Sequence, residues 1–254
     1  MDDMFSLEGG SFLVAGGTRG LGRAISLQFA RAGARVVANH VRDEHAAQTL
    51  REEADRNGLA LSTCRADLTS DKGLTRLGEF IDAGLGSLTG MVFCAATGVH
   101  KPFEELNARH FDWTFSLNVK AFFELVRMLL PKFRPPASIV ALSSQGARQV
   151  VPCYSLIGSS KAALESLARH MAVELAPKGI RVNILSPGAV RTDAWAAMPD
   201  GDARLSGAEK RTPRGRLTTP AETARAAQFL CSNAAEGVVG HTLIVDGGLS
   251  LIGE

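Results

Sequence analysis

The sequence predicts an α/β protein: one doubly wound domain, residues 1–254, with a seven-stranded parallel sheet and helices on both faces. Three observations predict it. Short apolar runs alternate with segments of helical periodicity along the whole chain. The first run ends in a glycine-rich turn that opens directly into a helix. No linker, repeat or shift of composition divides the 254 residues, and at 45% hydrophobic they can bury one large core.

Ser11 to Ala15 is an apolar run that stops at glycines; Leu21, Ile25, Leu27 and Phe29 then fall at helix-like spacing before Gly33 ends the pattern after Ala32. Arg35 to Asn39 reads as the second strand, Asp43 to Asn57 as a helix stopped by Gly58, Leu59 to Cys64 as the third strand and Ser70 to Leu85 as a helix. Gly90 to Ala95 is the fourth strand, ending in small residues where a ligand can come close. Phe103 to Phe133 holds one or two helices, the second from about Phe111 to Leu130 and stopped by Pro131. Ala137 to Leu142 is the fifth strand. From Lys161 to Ala176, Leu164, Leu167, Ala168, Met171 and Leu175 form an apolar stripe, closed by Pro177 and Gly179. Ile180 to Leu185 is the sixth strand. Ser186 to Thr219 shows little apolar periodicity and reads as a long functional or mobile segment. Thr219 then caps a helix over Pro220 to Cys231, with proline at its first position and Glu222 at its third, and His241 to Val245 is the last strand.

A net charge of +2 with scattered Lys and Arg speaks against nucleic acid or an anionic membrane as partner. The acidic start Met1-Asp2-Asp3-Met4 is unlike a signal peptide and no apolar run is long enough to span a bilayer, so a cytoplasmic protein is expected. Cys64, Cys94, Cys153 and Cys231 lie far apart and the six histidines show no ligand spacing; neither a disulfide framework nor a metal site is expected. Cys153 draws notice only because it precedes Tyr154.

The turn Gly16-Gly17-Thr18-Arg19-Gly20-Leu21-Gly22 joins the first strand to the first helix. Glycines there let the backbone approach a pyrophosphate, and the helix N-terminus offers free amides and partial positive charge, as in a Rossmann-type dinucleotide site. The second strand ends Asn39-His40-Val41-Arg42, without an acidic residue at its immediate end to hold ribose hydroxyls. Arg19 and Arg42 are instead suited to a 2′-phosphate, which favours NADPH over NADH. Asp67, followed by Leu68, is placed either to receive an adenine amino group or to cap the next helix. Tyr154 is the sole tyrosine, and Lys161 follows seven residues later, near two helical turns, so a helix through both puts them on one face.

Together, Gly16, Gly20 and Gly22, Asp67, Asn118, Ser144, Lys161, the Ser186-Pro187-Gly188 turn with Thr192, and Val245-Asp246-Gly247-Gly248 resemble a short-chain dehydrogenase/reductase over nearly the whole chain. In ordinary members the proton-donating tyrosine stands four residues before the lysine; here that position is Ile157. Tyrosine, six residues, then lysine resembles the enoyl-acyl-carrier-protein reductase branch. Arg148, Pro152, Gly158, Ala162 and Leu164, with Cys94-Ala95-Ala96-Thr97-Gly98-Val99 and Phe111-Asp112-Trp113-Thr114, point to its divergent NADPH-dependent type. One departure is Phe93-Cys94-Ala95-Ala96, where the family commonly has Asn-Asn-Ala-Gly.

The resemblance implies that Tyr154 hydrogen-bonds the developing enolate of an unsaturated thioester while Lys161 holds the nicotinamide ribose and lowers the phenol's pKa. Ser144 either acts directly or orients substrate or water; Asn118 either marks a helix kink that binds water or is a satisfied polar core residue. Cys94, Ala95, Ala96, Pro187, Gly188, Val190 and Thr192 are expected along the cofactor. A substrate lid is expected at about 190–217, with Trp195 and Met198 in it. Arg204, Lys210, Arg211, Arg214 and Arg216 either meet an acyl carrier protein or phosphopantetheine arm or are merely solvated. The apolar stripes of the helices around 111–130 and 161–176 either pair subunits into a dimer or tetramer or cover the sheet. The expected activity is NADPH-dependent reduction of an enoyl-carrier or enoyl-CoA thioester; a ketoreductase and a redox-inactive nucleotide-binding protein remain open.

Overall fold

The computed structural model describes residues 4–192, 198 and 200–252. Seven parallel strands lie in the order β3-β2-β1-β4-β5-β6-β7: β1 Ser11–Ala15, β2 Arg35–His40, β3 Leu61–Arg65, β4 Leu88–Phe93, β5 Phe133–Leu142, β6 Ile180–Pro187 and β7 Thr242–Val245. The chain reverses direction across the sheet between β1 and β4, and the crevice beyond their carboxyl ends is where such sheets bind ligands. Helices α1 Gly20–Arg31, α2 Glu44–Arg56, α3 Asp71–Gly84, α4 Ala108–Phe115, α5 Ala121–Leu129, α6 Ser155–Leu175, α7 Gly201–Arg211 and α8 Pro220–Cys231 complete it.

Each face of the sheet has its own core. On one, Ile25 and Phe29 of α1 and Ala224, Ala227 and Leu230 of α8 meet Val14, Val36, Val92 and Val140. On the other, Leu77 and Ile81 of α3, Phe122, Leu125 and Leu129 of α5, and Leu164, Ala168 and Leu175 of α6 meet Leu13, Met91, Ile139 and Val182. The α5 and α6 stripes therefore cover the sheet, and they no longer argue for subunit pairing. Among the described residues no helix is long and apolar enough to cross a membrane, and no group of three or more His, Cys, Asp or Glu side chains is arranged to hold a metal ion.

Three elements differ by four residues or more from the sequence reading. β5 starts at Phe133, four residues before the predicted start at Ala137. Leu88 pairs with Phe133 and Gly90 with Ser138, so the prolines at 135 and 136 lie in a bulge instead of excluding a strand. Helix α6 starts at Ser155, six residues before the predicted start, because Ser155 to Ser160 carries serine and glycine that read as loop. The long segment after β6 contains α7, whose two core-facing residues, Leu205 and Ala208, join Ala189, Leu217 and Leu249; two apolar positions are too few to show a period. The predicted caps hold where they were specific: Thr219 and Glu222 form a capping box on α8.

Candidate active site

The glycine turn is built by close contacts that exclude side chains. A methyl group on Gly22 would lie 2.0 Å from the Gly16 carbonyl oxygen, and one on Gly16 would lie 2.8 Å from the Ala95 nitrogen. Gly16 has φ 72° and Gly20 φ 53°, conformations that favour glycine. The turn and the β4 exit are thus drawn together, with Cys94 N–H donating to the Ala15 carbonyl at 2.9 Å. Arg19 precedes α1 without a side-chain cap, and the first turn of α1 holds no acidic residue, so the helix N-terminus is free for an anion. Thr192 approaches the same turn, 3.9 Å from the place of a Gly20 methyl. Thr18 is buried at the turn. Gly188 is held by its N–H to the Val245 carbonyl (3.0 Å), and Val190 forms a parallel bridge with Thr218.

Other predicted cofactor residues are committed elsewhere in part. Asn39 is buried, its amide donating to the carbonyls of Ala66 (2.9 Å) and Cys64 (3.3 Å). Asp67 does not cap α3; its carboxylate closes a turn onto the Thr69 N–H (2.9 Å) and hydroxyl (2.7 Å), and Ser70 is the cap. The Leu68 side chain is in the core. Asp43 caps α2 through the Ala46 N–H, and Glu44 pairs with His40 and Arg51, whereas neither Arg19 nor Arg42 forms an ion pair among the described residues.

Tyr154 is the residue just before α6, not a residue within it. Cys153, at φ 59°, turns the chain into the helix, a conformation that costs a non-glycine residue about 1–3 kcal/mol. The Tyr154 carbonyl accepts the Gly158 N–H at 2.7 Å, so the residue is tied to the start of the helix from the position before its first turn. A methyl group on Gly146 would come within 2.6 Å of that ring, and one on Gly158 would meet the Gly146 carbonyl at 2.6 Å. Two glycines thus form the seat of the phenol. Its hydroxyl is 3.5 Å from the Ser144 Oγ. Ile157 is buried against Gly98, where a methyl group would lie 2.0 Å from its Cγ1. The position that holds tyrosine in ordinary relatives is filled with hydrocarbon.

Lys161 is 4% exposed, and its Nζ donates to the Leu142 carbonyl at 2.7 Å. Burial brings the amine down to about 8, opposed by the neighbouring Cys94 and Glu165. Beneath it, buried Glu165 accepts from the Ser143 hydroxyl at 2.6 Å. Cys94 is itself pushed up to about 12 by burial, so it is a protonated thiol and not a nucleophile at neutral pH. The expected lowering of the phenol's pKa by Lys161 is not what the structure shows. Burial raises Tyr154, and the Ser144 hydrogen bond opposes this. Lys161 does not contribute, its amine being given to the Leu142 carbonyl.

Asn118 sits in a π-helical turn, Ser116–Lys120, between α4 and α5. Its Oδ1 accepts the Thr97 N–H (2.8 Å), and its amide donates to the Thr97 carbonyl and the Ser160 hydroxyl, both at 2.9 Å. The kink and the satisfied polar core residue are therefore the same feature. Of the predicted lid, Trp195 and residues 193–197 lie outside the described residues. The Met198 carbonyl accepts the Gly201 N–H at the start of α7. Arg204 donates to the Pro152 carbonyl at 3.1 Å, while Arg214 and Arg216 both pair with Glu222 at 2.8 Å. Sequence reasoning missed Gly146 and His100; the latter stands one residue beyond the stretch that carried the resemblance, and its ring lies 5.6 Å from that of Tyr154.

Comparison with known proteins shows the family. Residues 15–250 match the family model described as "Enoyl-(Acyl carrier protein) reductase". The chain is 34% identical over 242 residues to a 1-cyclohexenylcarbonyl-CoA reductase of Streptomyces collinus, covering 94% of this chain and 86% of that protein. Among solved structures, a 7 alpha-hydroxysteroid dehydrogenase complexed with NADH and 7-oxo glycochenodeoxycholic acid has a TM-score of 0.91 at 34% identity, over 98% of this chain and 97% of that one. A gluconate 5-dehydrogenase from Burkholderia cenocepacia J2315, complexed with NADP and tartrate, has a TM-score of 0.90 at 27% identity, over 99% of each chain. The strand order, the glycine turn and a match spanning almost the entire chain have one explanation: this protein belongs to the short-chain dehydrogenase/reductase superfamily and is an oxidoreductase.

Proposed function

We propose that this protein uses NADPH to reduce the carbon–carbon double bond of an α,β-unsaturated acyl thioester. One observation carries the reading: Ile157 closes the ordinary tyrosine position against Gly98, and the phenol enters one helical turn earlier, from Tyr154 on its glycine seat. A ketone takes hydride at the carbon bonded to the oxygen that must be protonated. An enoyl thioester takes it at Cβ, and charge develops on an oxygen two carbons away. A phenol displaced along the helix suits the second geometry. The name of the Streptomyces collinus relative is consistent with that chemistry.

The residues fit the cofactor. The close-packed glycines at 16 and 22 leave backbone amides at the α1 N-terminus for a pyrophosphate, and Arg19 and Arg42 supply cations for a 2′-phosphate while Asp43 and Glu44 are engaged. NADPH, when bound, supplies the hydride. Lys161, released from Leu142, holds the nicotinamide ribose. Tyr154 donates its proton-bearing hydroxyl to the thioester oxygen, and its raised pKa keeps it a donor at neutral pH. With Arg204, Arg214 and Arg216 engaged, Lys210 and Arg211 of α7 are the lid cations left to meet the phosphates of a carrier arm.

The similarity to a hydroxysteroid dehydrogenase supports a second reading, reduction of a ketone. NADPH oxidation measured side by side with crotonyl-CoA and acetoacetyl-CoA separates the two. Turnover with crotonyl-CoA is expected; turnover with acetoacetyl-CoA alone would replace the proposal with the second reading.

A further inference from the structure

The phenol seat has a third member with no assigned role. His100, on the loop leaving β4, sets its ring 5.6 Å from that of Tyr154 at an interplanar angle of 37°. Among the described residues its Nδ1, like those of His40 and His110, is buried without a hydrogen-bond partner, an arrangement that calls for a reason. Across from it, Arg204 of α7 is fixed by the Pro152 carbonyl, two residues before Tyr154. Three separate segments therefore meet beside the sole tyrosine: the β4 loop with His100, the turn before α6 with Pro152, and α7 with Arg204.

We propose that His100 is a positioning residue for Tyr154: uncharged, it braces the phenol against the Gly146 seat, and protonation withdraws the brace. The inference rests on the enoyl-reductase reading only for its kinetic consequence. The groups facing the imidazole are the Tyr154 phenol from the start of α6 and the Arg204 guanidinium from α7; on its own loop, Lys101 and Glu105 pair with each other at 3.3 Å. Among the described residues, none of these gives the ring a carboxylate partner. An imidazolium here would bury an N–H at Nδ1 without an acceptor, beside an existing cation. Burial first, and the Arg204 charge second, accordingly hold His100 below the ordinary imidazole value. The charged ring reaches its missing partners by turning to water, and Tyr154 then loses its aromatic neighbour.

The sign of the pH effect follows. A folded pKa below the ordinary value of about 6.5 means that neutral His100 prevails at and above that pH, and the brace is lost as pH falls through the lowered folded value. Two readouts test it. In kcat profiles with crotonyl-CoA, the wild type is expected to lose rate on the acid side with a midpoint below about 6.5. That limb should vanish in His100→Phe, which keeps a ring but does not titrate. His100→Gln, without a ring, should lower kcat about 2- to 10-fold, the worth of one aromatic pair. An acid limb unchanged in both variants overturns the proposal.

The second readout needs no substrate. Tyrosine labelled with 13C gives one ring signal in this protein, and that signal is expected to titrate with the same acid midpoint in the wild type and to stay flat in His100→Phe. A flat signal in the wild type overturns the brace whatever the enzyme reduces. A titrating signal together with no crotonyl-CoA turnover would instead uphold the brace and remove the thioester reading.

Discussion

Tyr154→Phe is expected to lower kcat for crotonyl-CoA by about 10²- to 10³-fold, the usual cost of removing one donor to a developing oxyanion. NADPH affinity should change little. The variant removes a single oxygen and leaves the ring on Gly146, so loss of the seat cannot account for the defect. The sequence holds no second tyrosine to substitute for it. Ser144, 3.5 Å from the phenol oxygen, is the one hydroxyl among the described residues hydrogen-bonded to it, and at that distance it orients the phenol more than it shares its proton. The same uniqueness lets the ionisation be followed directly. Tyrosinate absorbance in the wild type should appear only above the ordinary phenol value of about 10, because burial raises it. Full turnover by Tyr154→Phe would remove the phenol from the mechanism.

Lys161→Met should move activity and stability in opposite directions. Removing a charged donor to the ribose costs about 2–5 kcal/mol of binding, so kcat/KM for NADPH should fall by about 30-fold or more. Stability should rise. The amine is buried and brought down to about 8, against about 10.4 when exposed, so its charge opposes folding at neutral pH by about 3 kcal/mol. The lost hydrogen bond to Leu142 offsets about 1 kcal/mol of the gain. Between pH 8 and about 10.4 the unfolded chain binds the extra proton, so wild-type stability climbs with pH there and the advantage of the variant shrinks. Denaturant unfolding of both proteins at pH 7 and pH 10 checks the sign. Equal stability at both pH values would show that Lys161 is not desolvated as described.

Much of the fold was legible because a parallel sheet buried on both faces writes its strands as apolar runs, as in Phe12-Leu-Val-Ala15 and Ile139-Val-Ala-Leu142. Helix α8 was legible to the residue because its capping box is local chemistry. What failed to show depended on distant partners. The first four residues of β5 were hidden by prolines that bulge away from β4. Helix α7 was hidden because its stability comes from Ala189, Leu217 and Leu249, outside its own sequence.

The site divides in the same way. The glycine turn, Tyr154 and Lys161 stand out by residue type and spacing. The seat at Gly146, the contact of Ile157 with Gly98, and His100 beside the phenol join segments far apart in the chain, and no local pattern announces them. The family resemblance also implied that Lys161 lowers the phenol's pKa; burial, visible only in three dimensions, raises it instead.

The central claim is that the displaced phenol goes with hydride delivery to Cβ. Reduction of crotonyl-CoA with NADPH carrying deuterium at the transferable C4 position tests it most directly, read by NMR of the product. The account predicts butyryl-CoA with one deuterium at C3. Label found only in 3-hydroxybutyryl-CoA made from acetoacetyl-CoA, with crotonyl-CoA untouched, would contradict it.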